Sequence, residues 1–286
     1  MFRNLNPSYV GVRAPLYEVA KLAKISGFEG MDININEVES LIKSGVSTEH
    51  VRNVFVNNDL HCGGWELPLK WREENESAFN EFLSQLPSLA SLAQQLGFFR
   101  AFTWILPYSD KRPFKENFDW HVERLGLISE VLYKYGCHLG LEFVATKTFR
   151  ANHKYEFIYT MEDMLKLCES VGKGNIGLLL DSWHWYVSGG TLEDLKRLTS
   201  REVIYVHIND APIGIPRDKL IDHIRYLPGE TGVIDLIGFL HSLIDMGYDG
   251  PVTPEPFIKK FEKMPANEVI SLVGQKLSQI WHAAGL

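Results

Sequence analysis

Residues 176–184 read Ile-Gly-Leu-Leu-Leu-Asp-Ser-Trp-His, and residues 203–210 read Val-Ile-Tyr-Val-His-Ile-Asn-Asp. Each is a nearly unbroken apolar run of strand length. Each ends in a group that handles protons or metals, Asp181 in the first and His207 in the second. Continuous apolar runs of this length mark strands covered on both faces, which is the habit of parallel sheets under helices. Upstream, His138–Phe143 (His-Leu-Gly-Leu-Glu-Phe) has the same design and carries Glu142 near its end. Downstream, Val252–Glu255 ends in Glu255. Working outward toward the N-terminus, strands are expected at Tyr9–Val12, Gly30–Ile33, Leu60–Cys62 and Phe99–Thr103, which brings the total to eight.

Helical patterns fill the intervals. Phe82, Leu83, Leu86, Leu89, Ala90, Ala93 and Leu96 form a stripe of period 3.6, and Gly97 stands where a helix would be capped. Leu236, Phe239, Leu240 and Leu243 form another stripe. Leu16 to Ile25, after Pro15, reads as a first helix. Thr160-Met-Glu-Asp163 and Thr191-Leu-Glu-Asp194 have the spacing of N-terminal caps. Eight strand–helix alternations predict an α/β fold, a (β/α)8 TIM barrel spanning residues 1–286 as one domain. The competing fold is a doubly wound open sheet. It would usually carry a Gly-rich phosphate loop after its first strand, and Gly-Val-Arg-Ala-Pro-Leu-Tyr-Glu at 11–18 matches neither GxGxxG nor a Walker loop.

Composition narrows the function classes. The chain has 286 residues, 45% hydrophobic and 23% charged, with a net charge of −7. An acidic balance argues against a broad phosphate-binding face, so no nucleic-acid partner is expected. Cys62, Cys137 and Cys168 show no CxxC spacing, which predicts a reducing, cytoplasmic setting without disulfides. Cys62, beside Gly63-Gly64, has no evident base and reads as a small buried residue. No run of about 18 apolar residues exists, so no membrane partner is expected. The N-terminal residues lack the apolar run of a signal peptide.

In a barrel the chemistry sits at the C-terminal ends of the strands. Glu142, Asp181, His207 and Glu255 occupy four such ends in succession, which aims them at one point. Carboxylates and an imidazole make a mixed oxygen and nitrogen ligand set. It suits one divalent metal ion, Mn²⁺ first, with Mg²⁺, Co²⁺ or Zn²⁺ as alternatives. Three carboxylates brought together are costly without a cation.

The motifs Leu-Glu-Phe around Glu142, Leu-Leu-Leu-Asp-Ser-Trp-His-Trp around Asp181, Tyr-Val-His-Ile-Asn-Asp-Ala-Pro around His207 and Pro-Glu-Pro-Phe around Glu255 resemble the xylose isomerase-like superfamily of TIM barrels, its sugar phosphate isomerase/epimerase family. The resemblance covers nearly the whole chain and is strongest from Gly140 to Phe257. It implies that Glu142, Asp181, His207 and Glu255 bind one metal and that Glu142 and Glu255 are the catalytic pair that moves the substrate proton. It implies substrate contacts for His184, three residues after Asp181, and for Arg217. A homo-oligomer is an expectation of the same kind. Arg225-Tyr-Leu-Pro-Gly-Glu230 resembles an RxxPGEG segment of the family, with one extra residue before the next glycine. The relatives implied include inosose isomerases, ketose 3-epimerases and dehydratases. Glu-Phe-Val-Ala-Thr-Lys-Thr at 142–148 departs from the ketose epimerase sequence and leans toward the inosose isomerase branch.

Other residues are expected around a small-molecule carbohydrate substrate. Lys147 follows Glu142 on the same loop and could meet an oxyanion. Arg225 could bind substrate or anchor its loop. His61, taken as ending the third strand, could face the pocket. Trp65, Trp104, Tyr108 and Trp183 fall in expected strand-end loops, where rings stack on sugar faces, and Trp104 is the one taken as substrate-binding. The expected activity is a metal-dependent sugar isomerase or epimerase acting on a keto sugar, inosose or related polyol through a cis-enediolate. The alternative is a dehydratase, in which a β-hydroxyl leaves from the same enolate. A repair nuclease would need more histidines and a basic groove. A sugar-binding module would not need two glutamates at a metal.

Overall fold

The computed structural model describes all 286 residues. Its main sheet holds nine short parallel strands, ordered in space 61–62, 30–31, 2–5, 251–254, 203–208, 176–181, 138–143, 100–105 and 64–66. The two strands at its edges, His61–Cys62 and Gly64–Glu66, are separated in sequence only by Gly63. The ring therefore closes through one extended segment, 61–66, and the architecture is an eightfold barrel ringed by helices.

His138–Phe143, Ile176–Asp181 and Val203–Ile208 stand at the expected residues. The Phe99–Thr103 expectation becomes Arg100–Ile105, and Val252–Glu255 becomes Pro251–Pro254. Gly30–Ile33 shortens to Gly30–Met31. The first strand requires a correction. Tyr9–Val12 lies mostly in a turn, and the strand is Phe2–Leu5. Its Phe-Arg-Asn-Leu sequence hides the strand because Asn4 points into a polar layer of the barrel interior, so apolar alternation fails there.

That layer is built around Asp32. Its Oδ1 accepts from Asn4 Nδ2 at 2.8 Å and from the Gly64 N–H at 2.6 Å. Its Oδ2 accepts from Asn6 Nδ2 at 2.9 Å and from the Tyr205 hydroxyl at 2.5 Å. Tyr205 also meets Thr253 Oγ1 at 2.6 Å. Burial lifts the Asp32 carboxyl to about 6 against the pull of those donors. Above this layer Phe102, Leu179 and Tyr205 pack together, with Tyr9 against them.

The helices form where the sequence signals them. Glu76–Leu96 ends at Gly97, whose φ of +90° is the left-handed cap only glycine adopts freely. Thr160 and Thr191 accept from the backbone N–H of Asp163 and Asp194, and Thr191 completes a capping box. No helix is long and apolar enough to cross a membrane.

Candidate metal centre

Side chains alternate along a strand, so residues two apart share a face. Tyr205 faces the barrel interior, and His207 therefore does so one layer higher. Leu179 and Asp181 repeat this relation, as do Thr253 and Glu255. The parallel register sets His207 beside Asp181 on one side and beside Thr253 on the other. Glu142 is reached across the interior. The result is a cluster of Glu142, Asp181, His207 and Glu255 whose ligand atoms all lie within 4.8 Å of one another. All four are buried, at 6%, 0%, 0% and 4% exposure.

His207 Nδ1 stands 3.1 Å from Glu142 Oε1 and 3.4 Å from Glu255 Oε2. Burial works against the imidazolium, but the adjacent Glu255 and Glu142 carry the His207 pKa well above its ordinary value. Burial, reinforced by the charge of Glu255, raises the Glu142 carboxyl to about 8. Asp181 is held low instead. Burial opposes its charge, but Arg225, His184 and His207 outweigh that. Arg225 Nη1 donates to Asp181 Oδ2 at 2.7 Å and to Glu255 Oε2 at 2.6 Å, so one buried guanidinium is shared by two of the carboxylates and offsets one of their charges. Three buried carboxylates and an imidazole on a 4.8 Å scale fit a divalent cation by donor type and by charge.

Asn209 holds this constellation in place. Its Nδ2 donates to Asp181 Oδ1 at 3.2 Å, and its Oδ1 accepts from the Glu255 N–H at 2.8 Å. Its own N–H donates to Ser182 Oγ at 2.9 Å, and Ser182 donates back to the Asn209 carbonyl at 3.2 Å. Trp183 N–H fills the remaining position on Asp181 Oδ1 at 2.8 Å. Outer partners of this kind orient metal ligands. Asn209→Ala is expected to weaken divalent-metal binding by roughly 10- to 100-fold, read by titration calorimetry with Mn²⁺ on protein whose circular dichroism is unchanged.

Glu142 and Glu255 of the cluster line a cavity of about 320 Å³, at the small end of the range for ligand sites, with Asp181 and His207 behind them. His184, Trp104 and Arg225 line it, as do Phe149 and Phe257. Phe257 takes a φ of +49°, the left-handed region, and its ring lies 4.7 Å from the Arg225 guanidinium. A phenylalanine in that region is strained, a cost that persists only because the surrounding structure imposes it. His184 Nδ1 accepts from the Ala145 N–H at 3.2 Å, and its Nε2 lies 3.2 Å from Arg225 Nη2. That Nε2 is 3.5 Å from Asp222 Oδ1 and 3.9 Å from Asp181 Oδ2. Burial lowers the His184 pKa.

The remaining expected contacts stand elsewhere. Lys147 starts a short helix, 147–150, with its side chain exposed outside the cavity. Arg217 sits in an exposed 3₁₀ turn, its guanidinium 4.2 Å over the Tyr186 ring. His61 begins its strand rather than ending it. Its ring lies tilted against Phe2, centroids 4.9 Å apart, at the N-terminal ends of the strands and so on the face opposite the cluster. Trp65 is fully buried and donates to the Phe98 carbonyl at 3.1 Å. Burial raises the Cys62 thiol to about 11, which leaves it inert.

Residues 19–273 match the model of the family described as xylose isomerase-like TIM barrel. An inosose isomerase of Bacillus velezensis is 28% identical over 205 residues, 70% of this chain and 68% of that protein. A 3-dehydroshikimate dehydratase of Pseudomonas aeruginosa is 34% identical over 119 residues, 40% of this chain but 18% of that protein. Among solved structures, a xylose isomerase domain protein from Alicyclobacillus acidocaldarius superposes with a TM-score of 0.87 at 28% identity, covering all of both chains. The IOLI protein with a binding zinc atom superposes with a TM-score of 0.81 at 22% identity over 98% of each chain. With the closed parallel ring and the cluster at its strand ends, these matches establish that the chain belongs to the xylose isomerase-like TIM barrel family.

Proposed function

We propose that this protein is a divalent-metal-dependent isomerase or epimerase of a keto sugar, inosose or related polyol, with Glu142 and Glu255 as its acid/base pair. The observation that carries the reading is the convergence of two buried glutamates with Asp181 and His207 beside one small cavity. Similarity to inosose isomerases supports the substrate class. Glu142, Asp181, His207 and Glu255 would hold the ion, and Mn²⁺ suits their oxygen-rich set. When bound, the cation would polarise the substrate carbonyl and favour the enediolate.

The protein's own groups do the rest. One glutamate of the pair removes the proton α to the carbonyl, and one of the pair returns a proton. Return at the same carbon from the opposite face gives an epimer, and return at the neighbouring carbon gives an isomer. Asn209 and Trp183 N–H fix Asp181, and Asn209 also fixes the backbone that carries Glu255. The rings of Tyr9, Phe102, Phe149 and Phe257 wall off water from the reacting carbons. His184 lines the cavity and is the side chain assigned to substrate contact, while Arg225 holds Asp181, Glu255 and Asp222 in place. The match to a 3-dehydroshikimate dehydratase favours one second reading, loss of a β-hydroxyl from the same enolate.

Solvent-deuterium incorporation, followed by NMR with Mn²⁺-reconstituted protein over ketoses, inososes and 3-keto cyclic acids, tests both. The expected result is EDTA-sensitive exchange α to the carbonyl of an inosose or keto sugar, with product signals that separate isomer, epimer and dehydration product. Absence of exchange on the whole panel would overturn the enolate chemistry.

A further inference from the structure

Glu66 is a carboxylate of the cavity that neither the cluster nor the acid/base pair uses. It ends the strand Gly64–Glu66 and pairs in register with Phe102 of the next strand. A Cβ on Gly64 would meet the rings of Tyr205 and Phe102 at 2.7 and 3.0 Å, so that position faces the barrel interior. Glu66, two residues on, faces inward as well and lines the cavity. Its carboxylate makes no hydrogen bond or ion pair with any protein group, and the residue is exposed.

The cations nearby are committed elsewhere. Arg225, the one cationic side chain that lines the cavity, is spent on Asp181, Glu255 and Asp222. Arg72 does not line the cavity. Its guanidinium lies 3.8 Å over the Trp104 ring and donates to Thr103 Oγ1 and to the Trp104 carbonyl, and it attracts the Glu66 charge from a distance without forming an ion pair. Lys147 and Arg217 stand outside the lining.

We propose that Glu66 is a specificity-determining residue that accepts hydrogen bonds from hydroxyls of a neutral polyol and turns away substrates bearing a carboxylate. A free carboxylate oxygen is a strong acceptor for hydroxyl donors, and two oxygens match a vicinal diol. An incoming carboxylate meets a like charge in a site whose one guanidinium is already paired, and an uncompensated repulsion is an effective means of exclusion. The proposal rests on the reading of the site as one for a keto polyol, and within that reading it selects the neutral inosose or sugar over the 3-keto cyclic acid.

Binding and exchange are measured in parallel on Mn²⁺-loaded wild type and on Glu66→Gln and Glu66→Ala. The binding probes are myo-inositol, a neutral cyclitol that cannot enolise, and shikimate, its carboxylate-bearing counterpart. Both are read by saturation-transfer NMR and calorimetry. Wild type is expected to bind myo-inositol and to reject shikimate. Both variants are expected to bind myo-inositol about tenfold more weakly, and Glu66→Gln to gain measurable affinity for shikimate. In the exchange assay the loss in Glu66→Gln falls mainly on KM for the neutral substrate. Wild type that binds shikimate better than myo-inositol, or variants with unchanged affinity and KM for neutral ligands, would overturn the proposal. Glu66-dependent binding of myo-inositol without exchange on any substrate would sink the isomerase reading and leave the role of Glu66 standing.

Discussion

Glu255→Gln lowers turnover by about a thousandfold, and Glu142→Gln does the same. Each change removes one group of the proposed acid/base pair and keeps its size and most of its hydrogen-bonding capacity. Glu255 Oε2 accepts from Arg225 at 2.6 Å, and Glu142 Oε1 is 3.1 Å from His207 Nδ1, so an amide finds partners in both places. The fold therefore survives, and thermal unfolding of the metal-free variants checks this. Exchange of the α proton with deuterium from solvent separates the two roles. If one glutamate removes the proton and the other returns it, one variant exchanges without forming product and the other does neither. Full activity in either variant would exclude the two-glutamate mechanism.

Asp32→Ala destabilises the protein by roughly 3–5 kcal/mol, a fall of roughly 10 °C in melting temperature. The substitution strands donors from Asn4, Asn6, Gly64 and Tyr205 inside the barrel, all of which Asp32 now receives. Gly63→Ala attacks the same layer from the other side. A Cβ at Gly63 would lie 2.3 Å from Asp32 Oδ1 and 2.4 Å from Asn4 Oδ1, and neither is a mobile chain end. Because Gly63 joins the two strands that close the ring, its displacement opens the barrel. Differential scanning calorimetry of the two variants and their combination checks the argument. Losses well short of additive are expected, because both changes break one network. A melting temperature within a degree or two of wild type for Asp32→Ala would show that the polar layer contributes little.

The four cluster residues were legible because each sits where an apolar run meets a polar loop, a transition visible along a single strand. Glu66 sends the same signal after Gly63-Gly64, but the third strand reads as ending at Cys62, so Glu66 falls in a loop. Asn209 is two residues beyond His207 and looks like ordinary loop polarity. Its importance lies in partners 28 and 46 residues away. His61 shows the opposite failure. Its residue type suits a site, but it begins its strand, and strand direction decides which face of a barrel a residue serves.

Local pattern alone determined the alternation of strand and helix, the caps at Gly97, Thr160 and Thr191, and the positions of Glu142, Asp181, His207 and Glu255 at strand ends. Those features follow from periodicity and from backbone preferences within a few residues. Only the tertiary structure decided that the first strand is Phe2–Leu5, that the ring closes at Gly63, and that Glu66 and Trp104 face the cavity while Lys147 and Arg217 do not. The physical reason is that a polar barrel interior erases the apolar alternation by which strands are recognised. Asn4, Asp32, Tyr205 and Thr253 hydrogen-bond to one another across as many as 249 residues of chain, and no local window contains that exchange.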